Sequence, residues 1–245
     1  MSVIVFGGNG FVGAKIVQEL CSRGVTVFAV SRSGVAPAHV AGESWAGKVE
    51  WTKGDALVPE TYAEIMKDAK AIIVSVGSPP IPVSKDQLPW QIKMNGETNA
   101  VPVATAQSSG VPRVVLMNAT MPQWAPSGYQ EGKRMAEAAA KDFSEGAEGN
   151  GAVILKPGAV FGTRYAGGVP VPLGLVLGPV SWVLQSAPGL VSAVTNAVPF
   201  VLDGALVPPA SVDKVAAAAV DGALEDKFAG QFTVVGPQEL ATYAK

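Results

Sequence analysis

Cysteine and histidine are nearly missing from this chain. Its 245 residues hold one cysteine, Cys21, and one histidine, His39. A single cysteine closes no internal disulfide, so no oxidising compartment is implied. Cys21 falls on an amphipathic segment and reads as a small core residue. His39 falls in a Gly-, Ala- and Pro-rich stretch and is assigned no chemistry, and no metal site is expected. Charge is scarce too. Only 16 % of residues are charged, and 18 basic against 20 acidic residues leave a formal charge of -2. That lacks the basic excess of a nucleic-acid binder, so no nucleic acid is expected as a partner. From Tyr165 to Leu202 there is no charged residue, yet Pro170, Pro172, Pro179, Pro188 and Pro199 interrupt the run. A spanning helix needs ~20 continuous apolar residues, so the prolines speak against one. No secretory leader is expected ahead of the first strand. The mean hydropathy of +0.29 is apolar for a soluble chain and points to a greasy partner, a membrane surface or a multi-subunit setting.

The amino terminus is rich in what organises the rest. Val3-Ile4-Val5-Phe6 is an apolar run that ends in Gly7-Gly8-Asn9-Gly10-Phe11-Val12-Gly13, and an amphipathic segment follows to about Ser22. This is strand, tight turn, helix. Gly7, Gly10 and Gly13 permit the turn, the close approach of a pyrophosphate, and the packing of the helix on the sheet. The helix start then offers unpaired N–H groups to an anion.

Strands and helices alternate from there. Val25–Val30, Val49-Glu50-Trp51, Ala71–Val76, Val114–Met117, Ala152–Leu155 and Gln231–Val235 read as strands. A helix is expected from Pro59 to about Asp68, and a long one from Trp90 to Ser109, kinked at Pro102. Others are expected from Tyr129 to about Phe143, and from Ser211, as N-cap, to about Leu224. Between the fourth strand and its helix, Pro79, Pro80, Pro82 and Pro89 force irregular chain. The fold class is α/β: a Rossmann-type, doubly wound parallel sheet with a small apolar C-terminal lobe.

Ligands in such sheets lie at the carboxyl ends of the strands. After the second strand stands Arg32, where a site for NAD usually has an acid; a guanidinium suits a 2′-phosphate, and Lys15 stands ready to assist. NADP(H) is therefore the expected cofactor. Asp55, followed by Ala56, ends the third strand and can accept from an adenine amino group. Val76 and Gly77 end the fourth and pass beside the ribose. Tyr129-Gln130-Glu131-Gly132-Lys133 puts Tyr129 and Lys133 on one helix face. The lysine is expected to lower the tyrosine pKa, so that Tyr129 trades a proton with a carbonyl or hydroxyl.

These residues, with Asn95-Gly96-Glu97-Thr98-Asn99 and Lys156-Pro157-Gly158, resemble the atypical or extended short-chain dehydrogenase/reductases. The Gly-Lys-Arg-x-Ala-Glu helix, Phe161-Gly162-Thr163-Arg164 and Val171-Pro172-Leu173-Gly174 look like a mitochondrial and plastid group. That group includes coenzyme Q-associated proteins and the NADPH-binding accessory subunit of respiratory complex I. The resemblance implies a single NAD(P)-binding domain over 1–245, with a core at about 1–158 plus 205–236 and a lobe at about 159–204. It also implies Pro157 beside the cofactor, an organelle, and a setting peripheral to a membrane. The superfamily's hydroxyl after the fifth strand is replaced by Asn118 and Ala119, with Thr120 next in line. Two readings follow. One is an NADPH-dependent reductase of an apolar, quinone-related substrate, using Tyr129, Lys133 and Thr120 or Asn118. The other is a non-catalytic NADPH-binding subunit of a membrane-associated complex.

Overall fold

The computed structural model describes residues 2–121, 124–166, 169–175, 178, 184 and 207–244. Seven parallel strands form the central sheet: β1 (Ser2–Phe6), β2 (Thr26–Ser31), β3 (Val49–Lys53), β4 (Ala69–Val74), β5 (Arg113–Met117), β6 (Gly151–Leu155) and β11 (Phe232–Val235). Their order is β11-β6-β5-β4-β1-β2-β3. The chain builds outward from β1 through β2 to β3, then returns to place β4 on the other side of β1. That reversal opens a crevice at the carboxyl ends of β1 and β4.

Period-2 alternation divides the apolar strands between two cores. Val3 and Val5 face one layer with Ile73, Val115 and Val153; there they meet Ile16 and Leu20 of α1 (Phe11–Ser22) and Val215 and Ala219 of α6 (Val212–Leu224). Ile4 and Phe6 face the other with Ile72, Val114 and Ile154. Here the cover is Val103 and Ala106 of α4 (Glu97–Ser108) and Ala140 and Phe143 of α5 (Ser127–Gly146). Residues Ile72, Ile73, Leu116 and Ile154 are fully buried. Both faces are covered, so the strands read as unbroken apolar runs.

Two local expectations change. The segment after Pro59 is a 3-10 turn (Pro59–Thr61) followed by a short helix α2 (Ala63–Met66). The reason is that Thr61 and Tyr62 bond backwards. Thr61 Oγ1 donates to the Val58 carbonyl at 2.7 Å and Tyr62 OH to the Ala56 carbonyl at 2.9 Å. The long helix from Trp90 is two helices, α3 (Leu88–Asn95) and α4, broken at Gly96 with φ -112° and ψ -76°. Pro102 sits inside α4 without ending it. A Cβ on Gly96 would stand 2.8 Å from Met135 Sδ and 3.1 Å from the Gly132 Cα, so the bend lies where α5 crosses closest.

In the expected apolar lobe, β7 (Val160–Phe161) pairs in parallel with β10 (Ala210–Ser211), and β8 (Thr163–Ala166) pairs antiparallel with β9 (Val169–Pro172). Most of the uncharged run to Leu202 lies outside the described residues. Ser211 caps α6 as expected, its Oγ accepting from the Lys214 N–H at 3.3 Å. A final helix α7 (Pro237–Thr242) follows β11. Among the described residues no helix is long and apolar enough to cross a membrane.

Candidate functional site

The loop after β1 is built by backbone geometry. Gly7 has φ +77°, and a Cβ there would stand 2.7 Å from the Ser75 carbonyl oxygen. Its N–H donates to Val30 O at 2.9 Å, tying the turn to β2. Gly10 is the N-cap of α1 and offers no side-chain cap, and no acid occupies the first helical turn. The first amides of α1 are left to an outside anion. Gly13 and Gly8 serve packing instead. A Cβ on Gly13 would run into the Gly7 carbonyl oxygen, and one on Gly8 would stand 2.9 Å from Ala29 Cβ.

The end of β2 is stitched to this loop. Asn9 Nδ2 donates to Ser33 Oγ at 3.2 Å, Ser33 and Ser31 hydroxyls lie 3.3 Å apart, and Gly34 N–H donates to Ser31 Oγ at 3.1 Å. Arg32 stands exposed between the two serines. At the end of β3, Asp55 Oδ1 accepts from the Leu57 N–H at 3.0 Å, and the Asp55 N–H donates to Thr61 Oγ1 at 3.1 Å. The truncated helix α2 is thus the consequence of a fixed β3 loop.

These loops enclose a cavity of about 650 Å³. Its walls include Gly7, Asn9 and Gly10, then Arg32, then Asp55 and Ala56, then Val76 and Gly77. A volume of ~300–1,000 Å³ is usual for a small-molecule site. Phe6, Ser75, Leu57, Met94 and Thr98 also line it and were not singled out from sequence as ligand contacts. Of these, Thr98 belongs to a stretch already marked by the family resemblance, whereas the others reach the cavity only through the sheet order. Gly8, Phe11, Val12 and Gly13 lie outside it: Val12 packs on the core, and Phe11 and Lys15 line a second cavity of about 490 Å³ on the outer side of α1. There Lys15 donates to Gln18 Oε1 at 3.1 Å and lies 3.6 Å from Asp213. His39 stacks on Tyr165 with ring centroids 3.9 Å apart.

Helix α5 carries Tyr129 and Lys133, which do not line the first cavity. They are 7 % and 5 % exposed. Lys133 Nζ donates to the Met117 carbonyl at 3.1 Å and lies 5.8 Å from the Tyr129 ring centroid. It would stand 3.7 Å from a Cβ placed on Gly77, so the lysine reaches the end of β4. Burial pushes the Tyr129 phenol up to about 12 and brings the Lys133 ammonium down to about 8. The expected lowering of the tyrosine by its lysine is therefore reversed. Both side chains are buried, and desolvation disfavours the phenolate.

The expected holders of a substrate oxygen face elsewhere. Asn118 Nδ2 donates to the Lys133 carbonyl at 3.3 Å and to Glu137 Oε2 at 3.2 Å, binding β5 to α5. Thr120 Oγ1 donates to the Lys156 carbonyl at 2.7 Å, and its N–H donates to the Pro157 carbonyl at 2.8 Å. The hydroxyl proton of Thr120 is committed to the β6 loop. Pro157 is buried beside it, and Lys156 pairs with Glu137 at 2.7 Å. Among the described residues, no group of His, Cys, Asp and Glu side chains could hold a metal.

Comparison with known proteins agrees with this fold. The chain is 34 % identical to an uncharacterised chloroplastic protein of Arabidopsis thaliana over 245 residues, covering 98 % of this chain and 77 % of the relative. It is 42 % identical over 77 residues to MIOREX complex component 2 of Saccharomyces cerevisiae, 31 % of this chain and 28 % of that one. In fold it resembles UDP-glucose 4-epimerase of Thermus thermophilus in complex with NAD, with a TM-score of 0.66 at 16 % identity, covering 96 % of this chain and 77 % of the epimerase. The Thermotoga maritima epimerase with UDP-glucose gives 0.65 at 14 %, covering 96 % and 76 %. The family described as NAD(P)H-binding matches residues 7–160. With more than half of the chain so matched, the protein belongs to this NAD(P)H-binding, Rossmann-type family.

Proposed function

We propose that this protein holds NADP(H), with the adenosine 2′-phosphate against Arg32. The observation that carries the reading is the end of β2. It offers Ser31, Arg32 and Ser33, tied to Asn9 of the glycine loop, and no carboxylate. A carboxylate there would accept from ribose hydroxyls and repel a phosphate; a guanidinium with flanking hydroxyls does the opposite. Calorimetric titration tests it. Arg32→Ala is expected to weaken NADPH by about tenfold or more, the scale of one charged hydrogen bond, and to leave NADH nearly unchanged. Equal losses for both nucleotides overturn the assignment.

The nucleotide is held rather than turned over in this reading. Asn118 and Thr120 have committed their donors to α5 and to β6, and Tyr129 is buried with a raised pKa. The chloroplastic relative supports an organelle as the setting. The exposed Val169, Val171 and Leu175 around β9 support contact with an apolar partner, a membrane surface or a membrane-complex subunit.

A second reading has its own observation. Tyr129 and Lys133 share one buried face of α5 next to Gly77, which suits proton transfer to a quinone-type carbonyl. The two separate by NADPH oxidation against short-chain benzoquinones, followed at the nicotinamide absorbance. No turnover by protein that binds NADPH supports the holding role. Turnover lost in Tyr129→Phe supports the reductase.

A further inference from the structure

The chain between β4 and α3 has little means of holding itself. Pro79, Pro80 and Pro82 supply no N–H, and within residues 76–82 the one internal backbone bond runs from the Ile81 N–H to the Pro79 carbonyl at 2.8 Å. Yet Val76 and Gly77, at its start, form a wall of the nucleotide cavity. Its anchors come from three amide side chains spaced four apart, Gln91, Asn95 and Asn99. All three are 0 % exposed. Asn99 Nδ2 donates to the Val76 carbonyl at 3.2 Å. Asn95 Oδ1 accepts from the Ser78 N–H at 3.1 Å, while Asn95 Nδ2 donates to Ser78 Oγ at 2.8 Å. Gln91 Nε2 donates to the Ile81 carbonyl at 3.0 Å. The ladder is also linked along itself, since Asn95 Nδ2 donates to the Gln91 carbonyl and Asn99 Nδ2 to the Asn95 carbonyl.

The chemistry of the middle rung is specific. Asn95 accepts from and donates to the same serine at once, and a primary amide is the side chain that does both. An aspartate keeps the acceptor alone, and a leucine keeps neither. The ladder is also a poor device for stability by itself. Gln91 Oε1 and Asn99 Oδ1 are buried and have no partner, a cost that an apolar face in the same place would not carry. Its position gives the compensation. A Cβ on Gly77 would stand 3.0 Å from Asn95 Oδ1 and 3.7 Å from Lys133 Nζ, so ladder, lysine and cavity wall meet at one residue. Met94 and Thr98, on the same helices, line the cavity directly.

We propose that Gln91, Asn95 and Asn99 are positioning residues that hold the Val76–Ile81 segment, whose first two residues wall the nucleotide site, with Asn95 setting where Gly77 stands against Lys133. This rests on the nucleotide reading above. The test uses the full chain and three substitutions: Asn95→Leu, Gln91→Leu and Ser78→Ala. The last removes only the hydroxyl end of one rung and keeps the test alive if Asn95→Leu fails to fold. Amide hydrogen exchange at Ser78 without nucleotide reports the clamp, and calorimetry reports NADPH affinity. Asn95→Leu is expected to expose the Ser78 amide to exchange and to weaken NADPH by about tenfold, as for one lost hydrogen bond. Ser78→Ala and Gln91→Leu are expected to weaken NADPH by a few-fold. Lower melting temperatures with NADPH affinity unchanged in all three would overturn the proposal and leave the ladder a packing feature. A wild-type chain that binds no NADPH would instead overturn the nucleotide reading, and the proposal with it.

Discussion

At the scale of single residues, Lys133 is a charge held out of water. Its ammonium is buried with one carbonyl partner, Met117 O, and desolvation brings its pKa from 10.5 down to about 8. The sign of the stability effect follows from proton binding. Between about pH 8 and 10.5 the unfolded chain holds the proton and the folded chain has released it, so folding gains stability as pH rises through this window. Urea titrations at pH 7 and 9.5 are expected to show wild type gaining about 2 kcal/mol relative to Lys133→Met. Tyr129, raised to about 12, acts in the opposite direction above about pH 10, which is why the comparison stops below that value. The glycine loop makes a different demand. Gly13→Ala forces a methyl group into the Gly7 carbonyl, and the measured loss of stability by urea unfolding is expected to be about 1–3 kcal/mol. Both residues were marked in the sequence by motif. The motif gave no sense of their surroundings, so the direction of the tyrosine shift was misjudged.

Helix α5 shows what spacing along an element does and does not reveal. Tyr129 and Lys133 lie four apart, and so do Gly128 and Gly132 one step away on the neighbouring face. The glycines let α5 seat against α3: a Cβ on Gly132 would stand 2.8 Å from Asn95 Cβ and 2.9 Å from the Ile92 carbonyl. Gly132→Ala therefore has to push the two helices apart. The expected result is a loss of about 1–3 kcal/mol in urea unfolding, together with weaker NADPH binding, because Lys133 and the Asn95 rung move with the helices. A stability loss with full NADPH affinity would show that the α3–α5 spacing does not set the site. The sequence reading placed both ends of α5 and the C-terminal end of α4 within a few residues. It missed the break at Gly96, since nothing local distinguishes that glycine from a tolerated one; the crossing helix does.

For the molecule as a whole, the reversal of strand order at β1 and β4 is the feature that makes a site. Loops from β1, β2, β3 and β4 converge there although they are spread between Gly7 and Gly77 of the chain. A nucleotide spanning them binds the folded state and not the unfolded one. At one hundred times its Kd, NADPH is expected to stabilise the protein by about 2.7 kcal/mol and to raise the melting temperature by roughly 5–10 °C in differential scanning fluorimetry. An unchanged melting temperature at saturating NADPH would contradict nucleotide binding by this cleft.

The amino-acid sequence alone determined the α/β class, the strand and helix alternation, the glycine turn and the cationic residue at the end of β2. Each of these is local. Hydrophobic period, backbone freedom and charge are properties of neighbouring residues, so they are legible in order along the chain. The tertiary structure decided the rest. It shows that Gly8 and Gly13 pack, while Gly7 and Gly10 line the cavity. Thr120 spends its hydroxyl on Lys156, 36 residues away, and Asn118 turns inward to Glu137. The amides of α3 and α4 bond to a proline-rich loop that has few donors of its own. Hydrogen-bond partners and desolvation depend on which distant segments meet, and the meeting is set by strand order and helix crossing rather than by any one stretch of sequence.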